Sequence, residues 1–227
     1  MPVRKVSNRG GNIIGFYPSI KMGRMVAFES TIERDLLYLL DFDASIADYS
    51  EQPLVIDYVM EGKKYTYTPD FEVKFTDGNH SLIECKPEEL VNSAKNQPKF
   101  NAGRAWCHEN SWDYVIVTDT KLRQGFCLRN IKFLVQFARH SIPPTLSYKI
   151  LHHLESAGNY APIREIIDAS LYNTSETRPL ILAAVFQMLF FQSLHVDLTD
   201  APLSENSVVT PYPSRMNNDE YDSLLGR

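Results

Sequence analysis

Thr68 to Pro87 reads TPDFEVKFTDGNHSLIECKP, and the fold turns on how its two halves pair. Phe71–Phe75 and Ser81–Cys85 are short β-rich runs with Asp77-Gly78 as a turn between them, which predicts an antiparallel hairpin. Side chains two apart on a strand share a face, so Glu84 and Lys86 stand side by side while the Cys85 side chain points away. A strict two-residue turn at Asp77-Gly78 would pair Asp70 with Cys85, on the wrong face. An odd-length loop, or one bulge, returns Asp70 to the side of Glu84 and Lys86. If these three residues act together, the hairpin cannot be a simple two-residue turn.

Working outward, Ser30–Leu40 has apolar residues at helical spacing (Ile32, Leu36, Leu39, Leu40), and Ser30-Thr31-Ile32-Glu33 matches a capping box. Leu54–Val59 and Lys64–Thr68 read as strands joined by a turn at Glu61-Gly62. Glu88–His108 is helix-like but broken by Pro98, Tyr114–Thr118 reads as a buried strand, and Leu128–Arg139 returns to helical spacing. This order predicts an α/β layer architecture.

Ile142-Pro143-Pro144 is the clearest boundary. Beyond it lie three helical patterns (Thr145–Ser156, Pro162–Ala169, Glu176–Gln192) and two extended runs (His195–Leu198, Ser207–Thr210), which together predict a winged-helix module. The expected organisation is a basic arm over 1–24, an α/β domain over 25–141, the winged helix over 142–210 and a flexible tail over 211–227. Residues 141–200 hold three basic side chains (Lys149, Arg164, Arg178) against six acidic ones, so the module is expected to contact protein rather than read DNA.

Composition sets the class. At 44% hydrophobic and 22% charged residues, the chain has the make-up of a soluble globular protein. Its longest apolar stretch, Leu180–Phe191, contains Gln187 and is too short to span a bilayer, and the N-terminus has no apolar core of a secretory signal. Cys85, Cys107 and Cys127 lack disulfide or zinc-site spacing, which predicts a reducing cytosol. The net charge of −5 argues against nucleic acid until its distribution is considered. Residues 1–24 carry Arg4, Lys5, Arg9, Lys21 and Arg24 with no acid, enough to grip phosphates locally, although a solvated arm explains them equally well.

Asp70, Glu84 and Lys86 suit phosphodiester hydrolysis. Hard Mg²⁺ takes one or two carboxylates and keeps several waters, and such ions polarise the phosphate and lower the pKa of an attacking water. The order Pro69-Asp70 … Glu84-Cys85-Lys86 matches the PD-(D/E)xK pattern of metal-dependent endonucleases, with the Cys85 carbonyl as a further metal ligand. Taken singly the pieces are common, since Pro-Asp occurs at turns and Glu-x-Lys usually marks a solvated strand face. Their position on adjacent β-rich segments, after an acid-bearing helix and before a helix–strand unit, sets them apart. Glu33 is the fourth candidate, either as the capping-box carboxylate or as a ligand pointing to the metal edge of the sheet. Gln52, Lys95 and Lys99 are weaker phosphate contacts. His108, His140, His152 and His153 show no metal spacing, and Asp119 is assigned no role.

Phe28-Glu29-Ser30-Thr31-Ile32-Glu33-Arg34-Asp35, Leu40-Asp41-Phe42-Asp43, Glu51-Gln52-Pro53, Thr68-Pro69-Asp70-Phe71 and Glu84-Cys85-Lys86-Pro87, in that order, resemble TnsA, the endonuclease subunit of heteromeric transposition systems. The resemblance runs through most of residues 20–140. It implies a restriction-endonuclease-like catalytic domain followed by a winged helix, with Glu33, Asp70, Glu84 and Lys86 at the site and two Mg²⁺ ions, for which Mn²⁺ can substitute. It also implies cleavage of the non-transferred strands at the 5′ ends of a transposon. The TnsB transposase would process the 3′ ends, and the C-terminal domain would contact the AAA+ ATPase TnsC. The expected setting is the bacterial cytoplasm, with no membrane partner. Two rivals remain open: a nuclease of the same fold engaged in restriction or repair, and a non-catalytic adaptor.

Overall fold

The computed structural model describes residues 13–173 and 175–211. The chain divides into two compact units, one ending at Leu122 and the other beginning at Arg123.

The first unit opens with a hairpin of β1 (Gly15–Pro18) and β2 (Met25–Phe28). Two cations that the sequence assigns to a basic arm are used inside this fold. The Lys21 ammonium donates to the carbonyls of Asp43 and Ile46, and burial lowers its pKa to about 8. Arg24 forms a bidentate pair with Glu51, at 2.9 and 2.8 Å. Residues 13–24 are therefore built into the unit, while Arg4, Lys5 and Arg9 lie outside the described residues.

Helix α1 (Thr31–Phe42) starts where the capping box predicts. Ser30 Oγ accepts the Glu33 N–H at 3.1 Å, and Ile32, Leu36, Leu39 and Leu40 are buried. It ends at Asp43, whose carboxylate accepts from the Ser45 N–H and Oγ and turns the chain into β3 (Ile46–Glu51). A separate ribbon of β4 (Ile56–Met60) and β5 (Lys63–Tyr67) follows, its two-residue turn formed by Glu61 and Gly62 at φ 50° and 74°. Then come β6 (Phe71–Phe75), β7 (His80–Lys86), α2 (Glu88–Val91), α3 (Gln97–Asn110), β8 (Asp113–Thr118) and α4 (Asp119–Leu122). Pro98 falls in the first turn of α3, where a missing N–H costs nothing.

The main sheet has the order β3-β6-β7-β8, with β7 and β8 parallel and the other pairs antiparallel. Leu82 and Ile83 point to opposite faces of β7 and neither is exposed, so both faces of this central strand are covered. Leu82 packs with Ile56, Tyr67 and Cys107, bringing the β4–β5 ribbon and α3 onto one face.

The β6–β7 connection satisfies the parity condition. Phe75 donates to the Asn79 carbonyl at 2.9 Å across a three-residue loop, Thr76-Asp77-Gly78, and the register pairs Phe71 with Ile83. One step further sets Asp70 against Glu84, not Cys85. The Asp77 carboxylate stabilises this loop by accepting from the Asn79 backbone and side-chain amides at 2.9 and 2.8 Å. Gly78 sits at φ +90° with open space around it, so a side chain there meets backbone strain alone. Gly78→Ala is expected to cost about 1 kcal/mol of stability in urea denaturation without altering the register.

The second unit holds α5 (Cys127–Leu134), a 3₁₀ turn (Val135–Phe137), α6 (Pro144–Ser156), β9 (Ala161–Pro162), α7 (Ile163–Asn173), α8 (Arg178–Phe190), β10 (Leu194–His195) and β11 (Val208–Pro211). The three strands form a small antiparallel sheet, order β10-β11-β9. Residues 123–141, grouped by sequence with the first domain, belong here for a physical reason. Phe133 and Phe137 pack on Phe186 of α8 with ring centroids 4.9 Å apart in each pair, and the Gln187 amide donates to the His140 carbonyl at 2.7 Å. The buried Asn130 amide donates to the carbonyls of Leu198 and Ala201 and accepts from the Leu203 N–H. The flexible tail expected over 211–227 lies outside the described residues except for Pro211, which closes β11. No helix among the described residues is long and apolar enough to cross a membrane.

Candidate active site

The chemistry gathers where β6 begins and β7 ends. Asp70 directly precedes β6, and its peptide is held from both sides: its carbonyl accepts the Gln52 N–H at 2.8 Å, and its N–H donates to the Ile83 carbonyl at 3.1 Å. Its Oδ2 accepts the Cys85 N–H at 2.7 Å, replacing a strand partner where the ladder runs out. Asp70 Oδ1 accepts no hydrogen bond from the described residues. On β7, Glu84 is 3% exposed, and its Oε1 meets the Lys86 ammonium at 2.7 Å. Its other oxygen, Oε2, accepts the Tyr67 hydroxyl at 2.7 Å, and that hydroxyl lies 2.7 Å from the hydroxyl of Tyr114 on β8.

Glu33 does two things at once. Its Oε2 accepts the Glu29 N–H at 2.7 Å, which completes a capping arrangement at the start of α1. Its charge also acts on Asp70, and that of Glu84 acts on Glu33. The capping contact is thus made while the charge of Glu33 still reaches Asp70.

The electrostatics are those of crowded acids. Burial, with the charges of Glu84 and Glu33, pushes the Asp70 carboxyl well above its usual range, against the opposing pull of Lys86 and the Cys85 N–H. Burial, Glu29 and Glu84 likewise raise Glu33. Burial disfavours the Lys86 ammonium, but Glu84 and Asp70 outweigh it and hold its pKa above the ordinary lysine value. The Cys85 thiol is raised well above its usual value by burial and by the same acids, which keeps it protonated.

Glu84 pairs with Lys86, and the charges of Glu84 and Glu33 act on Asp70; their oxygens are the donor type a hard divalent cation takes. Among the described residues, no three Asp, Glu, His or Cys side chains form a ready-made cage. Both Glu84 oxygens are engaged, by Lys86 and Tyr67. Mg²⁺ needs only one or two protein carboxylates, so the donor set remains adequate without a cage.

The weaker sequence candidates fall differently. Gln52 is 7% exposed, adopts φ +47°, and has a buried Oε1 without a hydrogen-bond partner among the described residues. Lys95 is exposed ahead of α3 and Lys99 is half-buried on it. Asp119 accepts the Glu88 N–H at 3.0 Å and ties the start of α2 to the end of β8. Tyr67 and Tyr114 were not singled out in the sequence. Nothing local tells that the end of β5 reaches β7, and only their alternation with exposed neighbours hints at inward-facing hydroxyls.

Carboxylates and a lysine thus stand at the end of the central hairpin of a mixed four-stranded sheet. Residues 43–119 match the family model described as TnsA-like endonuclease N terminal, a span that includes Asp70, Glu84 and Lys86 and begins after Glu33. The first unit therefore contains a span similar to the N-terminal domain of TnsA-like endonucleases. No curated protein matches the chain.

Proposed function

We propose that the protein is a Mg²⁺-dependent endonuclease that cuts the non-transferred strands at the 5′ ends of a transposon, acting on transposon-end DNA with a TnsB transposase and a TnsC ATPase. The observation that carries this reading is the setting of Asp70 opposite Glu84 and its Lys86 partner at one sheet end, inside the span that matches the TnsA-like endonuclease family model. Asp70 and Glu84, with Glu33 and the Cys85 carbonyl, would hold two Mg²⁺ ions, and Mn²⁺ can substitute. Bound there, the metal supplies polarisation of the scissile phosphate and a lower pKa for the attacking water. Asp70 is preset by the bond of its Oδ2 to the Cys85 N–H, which leaves its other oxygen for a cation. Lys86, kept protonated between Glu84 and Asp70, offsets phosphate charge and orients the water.

For the second unit we propose a winged-helix-like module that contacts the ATPase. Its order of helix, strand, two helices and two strands supports this. Its excess of acidic over basic side chains between residues 141 and 200 favours a protein partner over DNA. The three buried free cysteines accord with a reducing bacterial cytoplasm.

The test is excision of a mini-transposon by the purified protein with TnsB- and TnsC-like partners, mapping both strands at each end. Lys86→Ala is expected to remove the 5′ cuts and spare the 3′ cuts made by the transposase. Efficient cutting of DNA without partners would instead favour a restriction or repair enzyme. Unchanged 5′ cutting by the variant would favour the adaptor reading.

A further inference from the structure

We propose that Tyr67 is a positioning residue of this site: its hydroxyl holds one oxygen of Glu84, so that the other, Oε1, is the oxygen offered to a divalent cation. The inference rests on the nuclease reading given above.

Glu84 Oε2 accepts the Tyr67 hydroxyl at 2.7 Å, and Oε1 carries Lys86, also at 2.7 Å. The two contacts differ in kind. Lys86 sits on a flexible four-carbon stem, so an arriving cation can displace its ammonium toward a phosphate or water. Tyr67 cannot move in this way. It is 4% exposed, and its ring is packed in the cluster of Ile56, Leu82 and Cys107.

The hydroxyl is also supported from behind. A phenol has one proton, and that of Tyr67 is committed to the carboxylate. Tyr114, 2.7 Å away, therefore donates to the Tyr67 oxygen, which sets the direction Tyr114 to Tyr67 to Glu84. Chains of this kind strengthen each member bond. The Tyr114 ring is fixed in turn by Gly103 of α3, where an added Cβ would lie 2.3 Å from the ring, and by the Arg104 guanidinium 5.9 Å from its centroid. Helix α3 thereby reaches the acid through two hydroxyls. Partners that orient a metal-binding carboxylate typically contribute 10- to 100-fold, about the range expected here.

The experiment titrates Mn²⁺ alone into the full chain by calorimetry, beside the Mg²⁺ dependence of strand cleavage. Tyr67→Phe keeps the ring and removes the hydroxyl. The Mn²⁺ dissociation constant and the half-saturating Mg²⁺ concentration should each rise by about 10-fold or more. Cleavage at saturating Mg²⁺ should fall by less than about 3-fold, because every proposed ligand remains. Tyr114→Phe leaves the Tyr67–Glu84 bond in place and should give a smaller shift, about 3-fold, in the same direction.

Circular dichroism establishes that each variant is folded, and if Tyr67→Phe is not, the Tyr114→Phe titration decides. Asp70→Ala separates the two readings. If it abolishes cleavage while the deciding tyrosine variant binds Mn²⁺ like wild type, the role of Tyr67 is overturned and the nuclease site stands. If Asp70→Ala cuts like wild type, the nuclease site itself fails.

Discussion

Asp70→Asn is expected to abolish strand cleavage, by about a thousand-fold or more, and at the same time to raise the melting temperature of the metal-free protein at neutral pH. The first effect follows from losing a carboxylate at the metal edge. The second follows from linkage. Burial and the charges of Glu84 and Glu33 raise the native pKa of Asp70 above its ordinary 3.8, so the folded state binds more protons than the unfolded one over that interval. Stability from this group is therefore full below the ordinary carboxylate pKa and falls as pH rises through the raised native value. Glu33, also raised, adds to the same trend.

Asparagine keeps an oxygen to accept the Cys85 N–H but carries no charge. The variant should melt higher than wild type at pH 8, with the difference shrinking toward pH 4. Wild type should gain stability on adding Mg²⁺, and Asp70→Asn should gain less, since binding to the native state alone stabilises by mass action. A lower melting temperature for the variant at pH 8 would mean that Lys86 fully compensates Asp70. The site would then hold no surplus of negative charge awaiting a cation.

Asp41→Ala is expected to be the most damaging change away from the site. Asp41 is 5% exposed, and its two oxygens collect four donors: the Tyr17 hydroxyl (3.2 Å), Ser19 Oγ (2.5 Å), the Ile20 N–H (2.7 Å) and the Tyr49 hydroxyl (2.6 Å). These donors come from β1, the loop that joins it to β2, and β3, so one carboxylate ties three segments to the end of α1. Alanine takes this acceptor from all four, with only the Tyr49 hydroxyl keeping another, Ser19 Oγ at 2.8 Å; at about 1 kcal/mol for each donor stranded, the loss should reach about 3 kcal/mol. Both tryptophans, Trp106 and Trp112, lie in the first unit, so urea denaturation followed by their fluorescence reads this unit specifically. Asp41→Asn keeps one acceptor oxygen and should recover only part of the loss. A change below about 0.5 kcal/mol would remove Asp41 from the framework of the domain.

Asp41 shows where sequence and structure part company. In the sequence it is one member of an acid–aromatic pair after a helix, and its four donors are scattered over residues 17–49 with no spacing rule to connect them. The β1–β2 hairpin escaped notice for a related reason. Gly15–Pro18 is too short for alternation to stand out, and Lys21 and Arg24 look like free cations until their carbonyl and carboxylate partners are in place.

The second unit repeats the lesson at larger scale. Ile142-Pro143-Pro144 is a true break between helices, yet Phe133 and Phe137 have their apolar partners beyond it on α8. Pairing across a break leaves no local periodicity.

Sequence alone determined the elements that bear the site: a capped α1 with Glu33 in its first turn, and two strands with Asp70 before one and Glu84 and Lys86 at the end of the other. Those features follow from alternation, capping chemistry and side-chain period, all of which act within a few residues. Only the tertiary structure decided that Asp70 faces Glu84, because the three-residue loop depends on Asp77 gripping Asn79 where the Asp-Gly dipeptide equally allows a two-residue turn. It alone showed Glu33 capping α1 while its charge reaches Asp70, and Glu84 held from behind by Tyr67 and Tyr114. Hydrogen bonds and burial between distant segments set those features, and such contacts exist only once the sheet has closed.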